Sequence, residues 1–207
     1  MKFIIVFMLS LLSLAVESKS SELEVLNKRS LEGDHEAMTE LGYLYFAGVK
    51  VEKDLDRALK FYEKAAKKGN LQAMSNLCNM YLYGTGVKIN IVEAWNLCRE
   101  PARQGHTNAM VMMAEMARTS ELKSYFKNDT KIIEFSFKMY EAAAMRGHAH
   151  AQFKLGGHYQ FGFGTVKNLV KAEELYKQSL SQGNLNAKRA LVELRQALKQ
   201  ERELEKN

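Results

Sequence analysis

Proline occurs once in the 207 residues and cysteine twice. One proline, Pro101, leaves most of the chain free to form uninterrupted helix. Two cysteines, Cys78 and Cys98, are too few for a disulfide-dense scaffold and too far apart in sequence for a paired-cysteine zinc motif. The longest apolar stretch, Phe3 to Val16, covers 14 residues, short of the roughly 18 that cross a bilayer. The chain has no HExxH, no GxSxG and no phosphate-binding loop. The glycine doublets Gly84/Gly86 and Gly162/Gly164 read as loop glycines rather than phosphate cradles. The histidines are His35, His106, His148, His150 and His158. His106 and His148 follow glycine where a helix should start, as turn or cap residues. His150 and His158 stand slightly over two helical turns apart, about 12 Å, too far to share a metal. The reading is therefore no metal, no cofactor and no catalytic residue.

What the chain does have is self-similarity. Ala37, Ala73, Ala109, Ala151 and Ala187 recur at spacings of 36, 36, 42 and 36 residues. A period in the thirties marks a solenoid whose repeats bury their apolar faces against one another. Aligned on that alanine, repeat one reads Ala37-x-x-x-Leu41-Gly42-x-x-Tyr45-x-x-Gly48. Repeat two reads Ala73-x-x-x-Leu77-Cys78-x-x-Tyr81-x-x-Gly84. Repeat four reads Ala151-x-x-x-Leu155-Gly156-x-x-Tyr159-x-x-Gly162. Offsets 0, +4 and +8 make one apolar stripe on a helix, here helix A. The small residue at +5 allows close approach of a second backbone, and glycine at +11 ends the helix. Asp54, Asn90 and Asn168 are placed to N-cap a second helix B in their repeats. Each helix B ends in glycine: Gly69, Gly105, Gly147 and Gly183. A half-repeat precedes Ala37, and the charged segment from Asn184 should cap the far end and fray at its tail.

These residues resemble the Sel-one-like repeat family, relatives of the tetratricopeptide repeats, over about Leu23 to Leu198. The resemblance implies an all-α fold: a right-handed α-solenoid of antiparallel helix pairs. It would hold about four full repeats, an N-terminal half-repeat and a C-terminal capping helix. Repeat three departs from the pattern, with Met113-Ala114 for Leu-Gly, Ala117 for Tyr and Ser120 for the terminal glycine. It also carries six extra residues, expected as a longer loop between its helices. Pro101 in helix B of repeat two is expected to kink or shorten the last turns.

Met1-Lys2 followed by the short apolar run reads as a secretory signal peptide, residues 1–18, with residues 21–207 as a single repeat domain. The expected location is periplasmic or secreted, in a bacterium, with no stable membrane anchor. Cys78 takes the small position of helix A and Cys98 the aromatic position of helix B, equivalent to Tyr62 and Tyr140. Those positions should face each other within a repeat, so an exported chain would form a disulfide there. The other reading is two buried thiols acting as small hydrophobes. The net charge of +6 and pI near 9.2 come from scattered lysines, a solvated surface rather than a nucleic-acid site.

The resemblance further implies that helix A lines a concave face. Offsets +2, +6, +9 and +10 would then point into the groove. The candidate partner-binding residues are Tyr43, Phe46, Asn79, Leu82, Tyr83, Glu115, Phe153 and Phe161, aromatics among polar groups as in interface hot spots. The functional expectation is a non-catalytic exported protein that binds another protein. Its sharpest form is a periplasmic immunity protein neutralising a lipase effector of type VI secretion. An envelope or host-interaction adaptor is the alternative. A penicillin-binding or weak β-lactamase-like enzyme is a remote one, since such relatives carry paired cysteines in most repeats. The immunity, adaptor and enzyme readings all rest on what the resemblance implies.

Overall fold

The computed structural model describes residues 22–204, with side-chain surroundings to residue 199. The expected signal peptide lies outside the described residues, as does the end of the charged tail. Among the described residues every regular element is helical. Residues 22–31 form α1. There follow α2 (His35–Ala47), α3 (Leu55–Lys67), α4 (Leu71–Tyr83), α5 (Ile91–Arg103) and α6 (Thr107–Met116). A 3-10 helix (Ser120–Tyr125) leads to α7 (Asp129–Met145), α8 (Ala149–Phe161), α9 (Leu169–Ser181) and α10 (Leu185–Leu204). The chain divides into two compact units, one ending at Ile89 and one starting at Asn90.

In the first unit α2 packs antiparallel on α3. Gly42 faces Tyr62 near the middle of both helices, while Tyr45, one turn later, meets Arg57 and Phe61, earlier in α3. Leu26, Ala37, Leu41 and Leu44 form the buried core, with Leu23, Val51 and Phe61 against it. The preceding half-repeat is thus α1, which lends Leu26 to that core. Tyr45 stacks on Phe61 with ring centroids 5.8 Å apart, and the Arg57 guanidinium lies over the Tyr45 ring, 5.3 Å from its centroid.

In the second unit the same arrangement recurs in α8 and α9. Phe153 and Gln160 both reach Tyr176, and the Ser179 hydroxyl donates to the Ala149 carbonyl at 2.6 Å. Leu191 and Leu194 of α10 close this core against Ala172 and Tyr176, so α10 caps it, with outward charges such as Arg195 paired to Glu173 of α9 at 3.3 Å.

The helix ends follow their residues. Asp54, Asn90 and Asn168 each accept from the backbone amide three residues on. Gly48, Gly84 and Gly162 sit at φ of 69°, 70° and 72° and end helix A in the left-handed region. The B helices close with reversed hydrogen bonds around Gly69 and its counterparts, such as the Asn70 amide donating to the Ala65 carbonyl.

Two local expectations are corrected. Pro101 does not shorten its helix: α5 has 13 residues, as do α3 and α9. Its carbonyl still accepts from the His106 amide at 3.0 Å, and its ring is buried. The extra residues of repeat three are not simply loop. They form the 3-10 helix and lengthen the following helix to 17 residues, while α6 has only 10. An aromatic cluster holds the insertion. Trp95 meets Tyr125, Phe126 and Phe135 at centroid distances of 6.2, 6.1 and 5.4 Å, and Leu122 is fully buried. Both cysteines are disulfide-bonded and neither is a free thiol.

Candidate protein-binding surface

The A helices present their residues unevenly. Tyr43 at offset +6 and Tyr83 and Phe161 at +10 are exposed, at 54%, 56% and 62%. Phe46, Asn79, Leu82 and Glu115 are half-buried. Offset +2 does not open to a groove. Thr39, Ser75 and Val111 are buried there, and Phe153 packs against the Tyr176 core. One turn before +6 on the same helix, +2 lies too close to the apolar stripe to escape burial. Thr39 spends its hydroxyl on the His35 carbonyl at 2.8 Å.

Polar links join α4 to α2 and α8 to α6 at or near their N-termini. Asn70 caps α4 through the Ala73 amide at 2.8 Å and donates its side-chain amide to Glu36 of α2 at 3.0 Å. His148 does the same work in α8. Its Nδ1 accepts from the Ala151 amide, so Nε2 carries the proton and donates to Asn108 of α6 at 2.8 Å. His106 occupies the corresponding place before α6 without a side-chain cap bond. One turn along, His150 Nε2 meets Glu115 at 3.2 Å.

The most built region lies around His158. A cleft of about 490 Å³ is lined by Glu115, Arg118, Lys154, Gly157, Phe161 and Phe163. A second, of about 340 Å³, shares Arg118, His158 and Phe163 with it and adds Lys123, Asp129 and Ser136. Glu115 and Phe161 are thus brought to one cleft. His158 is only 8% exposed, ringed by Phe137, Tyr140 and Phe163 at 5.9, 5.7 and 6.3 Å. Its Nδ1 donates to the Phe163 carbonyl at 2.7 Å, which fixes the tautomer. Burial lowers its pKa, and the charges of Arg118 and Lys154 push the same way. Ser136 is buried and donates to the Ala114 carbonyl at 3.1 Å. Tyr176, pushed up to about 12 by burial, keeps its proton and donates to Gln160 at 2.7 Å.

The sequence reading missed Lys154, His158 and Phe163 as site residues. A single histidine at offset +7 carried no signal, because no other repeat has one there. Phe163 follows the helix-ending glycine, outside the helical register. The spacing S-x-x-K does occur twice, in Ser120–Lys123 and Ser124–Lys127. Both serines and both lysines are exposed, and the Ser120 hydroxyl donates to Glu121 at 3.0 Å, so neither pair has a desolvated base facing its nucleophile. No group of three or more histidine, cysteine or acidic side chains placed for a metal occurs among the described residues. Nor is any described helix long and apolar enough to cross a membrane.

Antiparallel helix pairs with recurrent glycine ends, and a surface of aromatics and charges, define a helical-repeat protein. The chain belongs to the Sel1 repeat family, whose model matches residues 35–70, 71–106, 108–148 and 149–184. The third match is five residues longer than the other three and contains the insertion that distinguishes repeat three. Sel1 repeats mediate protein–protein interaction. No curated protein is significantly similar to this chain. Among solved structures, a Sel1 repeat protein from Oxalobacter formigenes is 26% identical with a TM-score of 0.70, over 82% of this chain and 66% of that one. The immunity protein Pa5087 from Pseudomonas aeruginosa is 24% identical with a TM-score of 0.49, over 80% of this chain and 59% of that one. This chain therefore spans less than two thirds of the length of either.

Proposed function

We propose that this chain is an exported, non-catalytic protein-binding solenoid that holds a partner through exposed aromatics of its A helices. One observation carries this reading: helix A exposes a large aromatic in its C-terminal half in three repeats, Tyr43, Tyr83 and Phe161, and half-buried polar residues such as Asn79 and Glu115 lie on the A helices. A few anchor residues, tyrosine prominent among them, carry most of the energy in protein interfaces. Its sharpest form is a periplasmic immunity protein that covers the active-site mouth of a toxic lipase. Export rests on the charged start and the short apolar run of residues 1–18, and the immunity role on the family relationship.

Photocrosslinking tests it. The full-length chain is expressed with benzoylphenylalanine at Tyr43, Tyr83 or Phe161, and with exposed Lys60 or Lys67 of α3 as controls. A discrete protein adduct from the helix A sites, in the envelope fraction, is expected. Adducts from the α3 controls alone would place the partner elsewhere and overturn the surface. The captured protein is then expressed in the envelope of cells lacking the chain. Growth arrest relieved by the chain supports immunity, whereas a harmless partner favours an adaptor.

A further inference from the structure

Two cations stand uncommitted beside the buried His158. Among the described residues neither Arg118 nor Lys154 closes an ion pair or side-chain hydrogen bond. Both line the same cleft as His158. Of the two carboxylates near them, Glu115 is engaged by His150 at 3.2 Å. Asp129 lies in the first turn of α7, where the helix dipole already favours a negative charge. The rim is aromatic: Phe161 and Phe163 are 5.7 Å apart, and both are more than half exposed. A volume near 490 Å³ is enough for two or three side chains of a peptide.

We infer that this cleft receives an acidic side chain and its apolar neighbour from the partner protein, the carboxylate between Arg118 and Lys154 and the apolar group on Phe161 and Phe163. This rests on the protein-binding reading above and specifies the chemistry of the bound segment. The guanidinium offers a planar fork that a carboxylate matches with two parallel hydrogen bonds, while the ammonium supplies charge without demanding geometry. His158, bonded to the Phe163 carbonyl, holds the backbone of the rim residue Phe163 in place.

The probe is a fluorescent pentapeptide, blocked at both ends, that alternates aspartate with phenylalanine and leucine. Its counterpart has asparagine for each aspartate. Anisotropy with the full chain should show the acidic peptide bound at least ten-fold more tightly, with the advantage shrinking as salt rises. Arg118→Gln combined with Lys154→Gln should abolish that advantage while far-ultraviolet dichroism and the thermal midpoint stay unchanged. Arg118→Glu with Lys154→Glu should reverse the preference. Equal binding of the two peptides, or an undiminished preference in the folded glutamine variant, overturns the inference. So does stronger retention of anionic vesicles than of the peptide. A partner crosslinked at Tyr43, Tyr83 or Phe161 that binds wild type and the glutamine variant equally sinks this inference alone and leaves the protein-binding reading intact. Absence of any such adduct sinks that reading first.

Discussion

A Cβ on Gly42 would lie 2.6 Å from the ring of Tyr62. The same distance separates a Cβ on Gly156 from Tyr176 in repeat four. The missing side chain on helix A is therefore filled by a ring from helix B, and the pair sets how closely the helices approach. Cys78 and Cys98 hold the two corresponding positions in repeat two, and both are disulfide-bonded. Gly42→Ala should overpack this contact and destabilise the chain by on the order of 1–3 kcal/mol. Tyr62 is 1% exposed, so its ring has little room to retreat. Urea denaturation checks it, and an unchanged midpoint would mean the helices can part without cost.

Lys50 is the one described non-glycine residue with positive φ, at 65°. Repeats two and four have Gly86 and Gly164 there, at 73° and 70°. The exception has a packing reason. A Cβ on Gly86 would sit 2.6 Å from Leu55, the first residue of helix α3 in the preceding repeat. Repeat one is preceded only by α1, and Lys50 uses the space to reach Glu22 at 2.6 Å. Lys50→Gly should relieve left-handed strain and lose a partly exposed ion pair. The expected balance is stabilisation by roughly 0.5 kcal/mol, read as a small rise in the thermal midpoint. A fall would show that the Lys50–Glu22 pair outweighs the strain.

Positions that recur were legible in the sequence, and positions that break the recurrence were not. Ala37, Leu41 and Gly48 announce helix A because the same types return 36 residues later, Gly42 returns as Gly156 in repeat four, and the N-caps Asp54, Asn90 and Asn168 follow from the same register. Repeat three lacks those marks. Nothing in Ser120 to Tyr125 signals a 3-10 helix, because Trp95, far earlier in the chain, holds it in place. The cleft was legible only in part. Glu115 and Phe161 follow from helical offsets. Lys154 and His158 join them because α8 lies against neighbours that shape the cleft, and offsets along one helix do not report that. Phe153 shows the converse: its offset pointed outward, but Tyr176 draws it to the core.

Buried His158 and half-buried His148 make stability depend on pH. Burial lowers the pKa of His158, and burial together with the neighbouring His150 charge lowers that of His148, both from an ordinary value of 6.5. In the unfolded chain both rings take up protons near pH 6.5, whereas in the folded chain they resist until lower pH. The unfolded state then binds more protons across that window, so the unfolding free energy rises with pH there. The histidine contribution should be complete above about pH 7, decline as pH falls through 6.5, and level off below the folded pKa values. Urea midpoints at pH 7.5, 6.5 and 5.5 would record it. His158→Gln keeps a donor for the Phe163 carbonyl and removes the titration, so part of the slope should vanish. A slope unchanged in that variant would assign the pH dependence to His148 or to the carboxylates. Stability that rose as the pH fell through this window would contradict the buried, neutral state of His158 altogether.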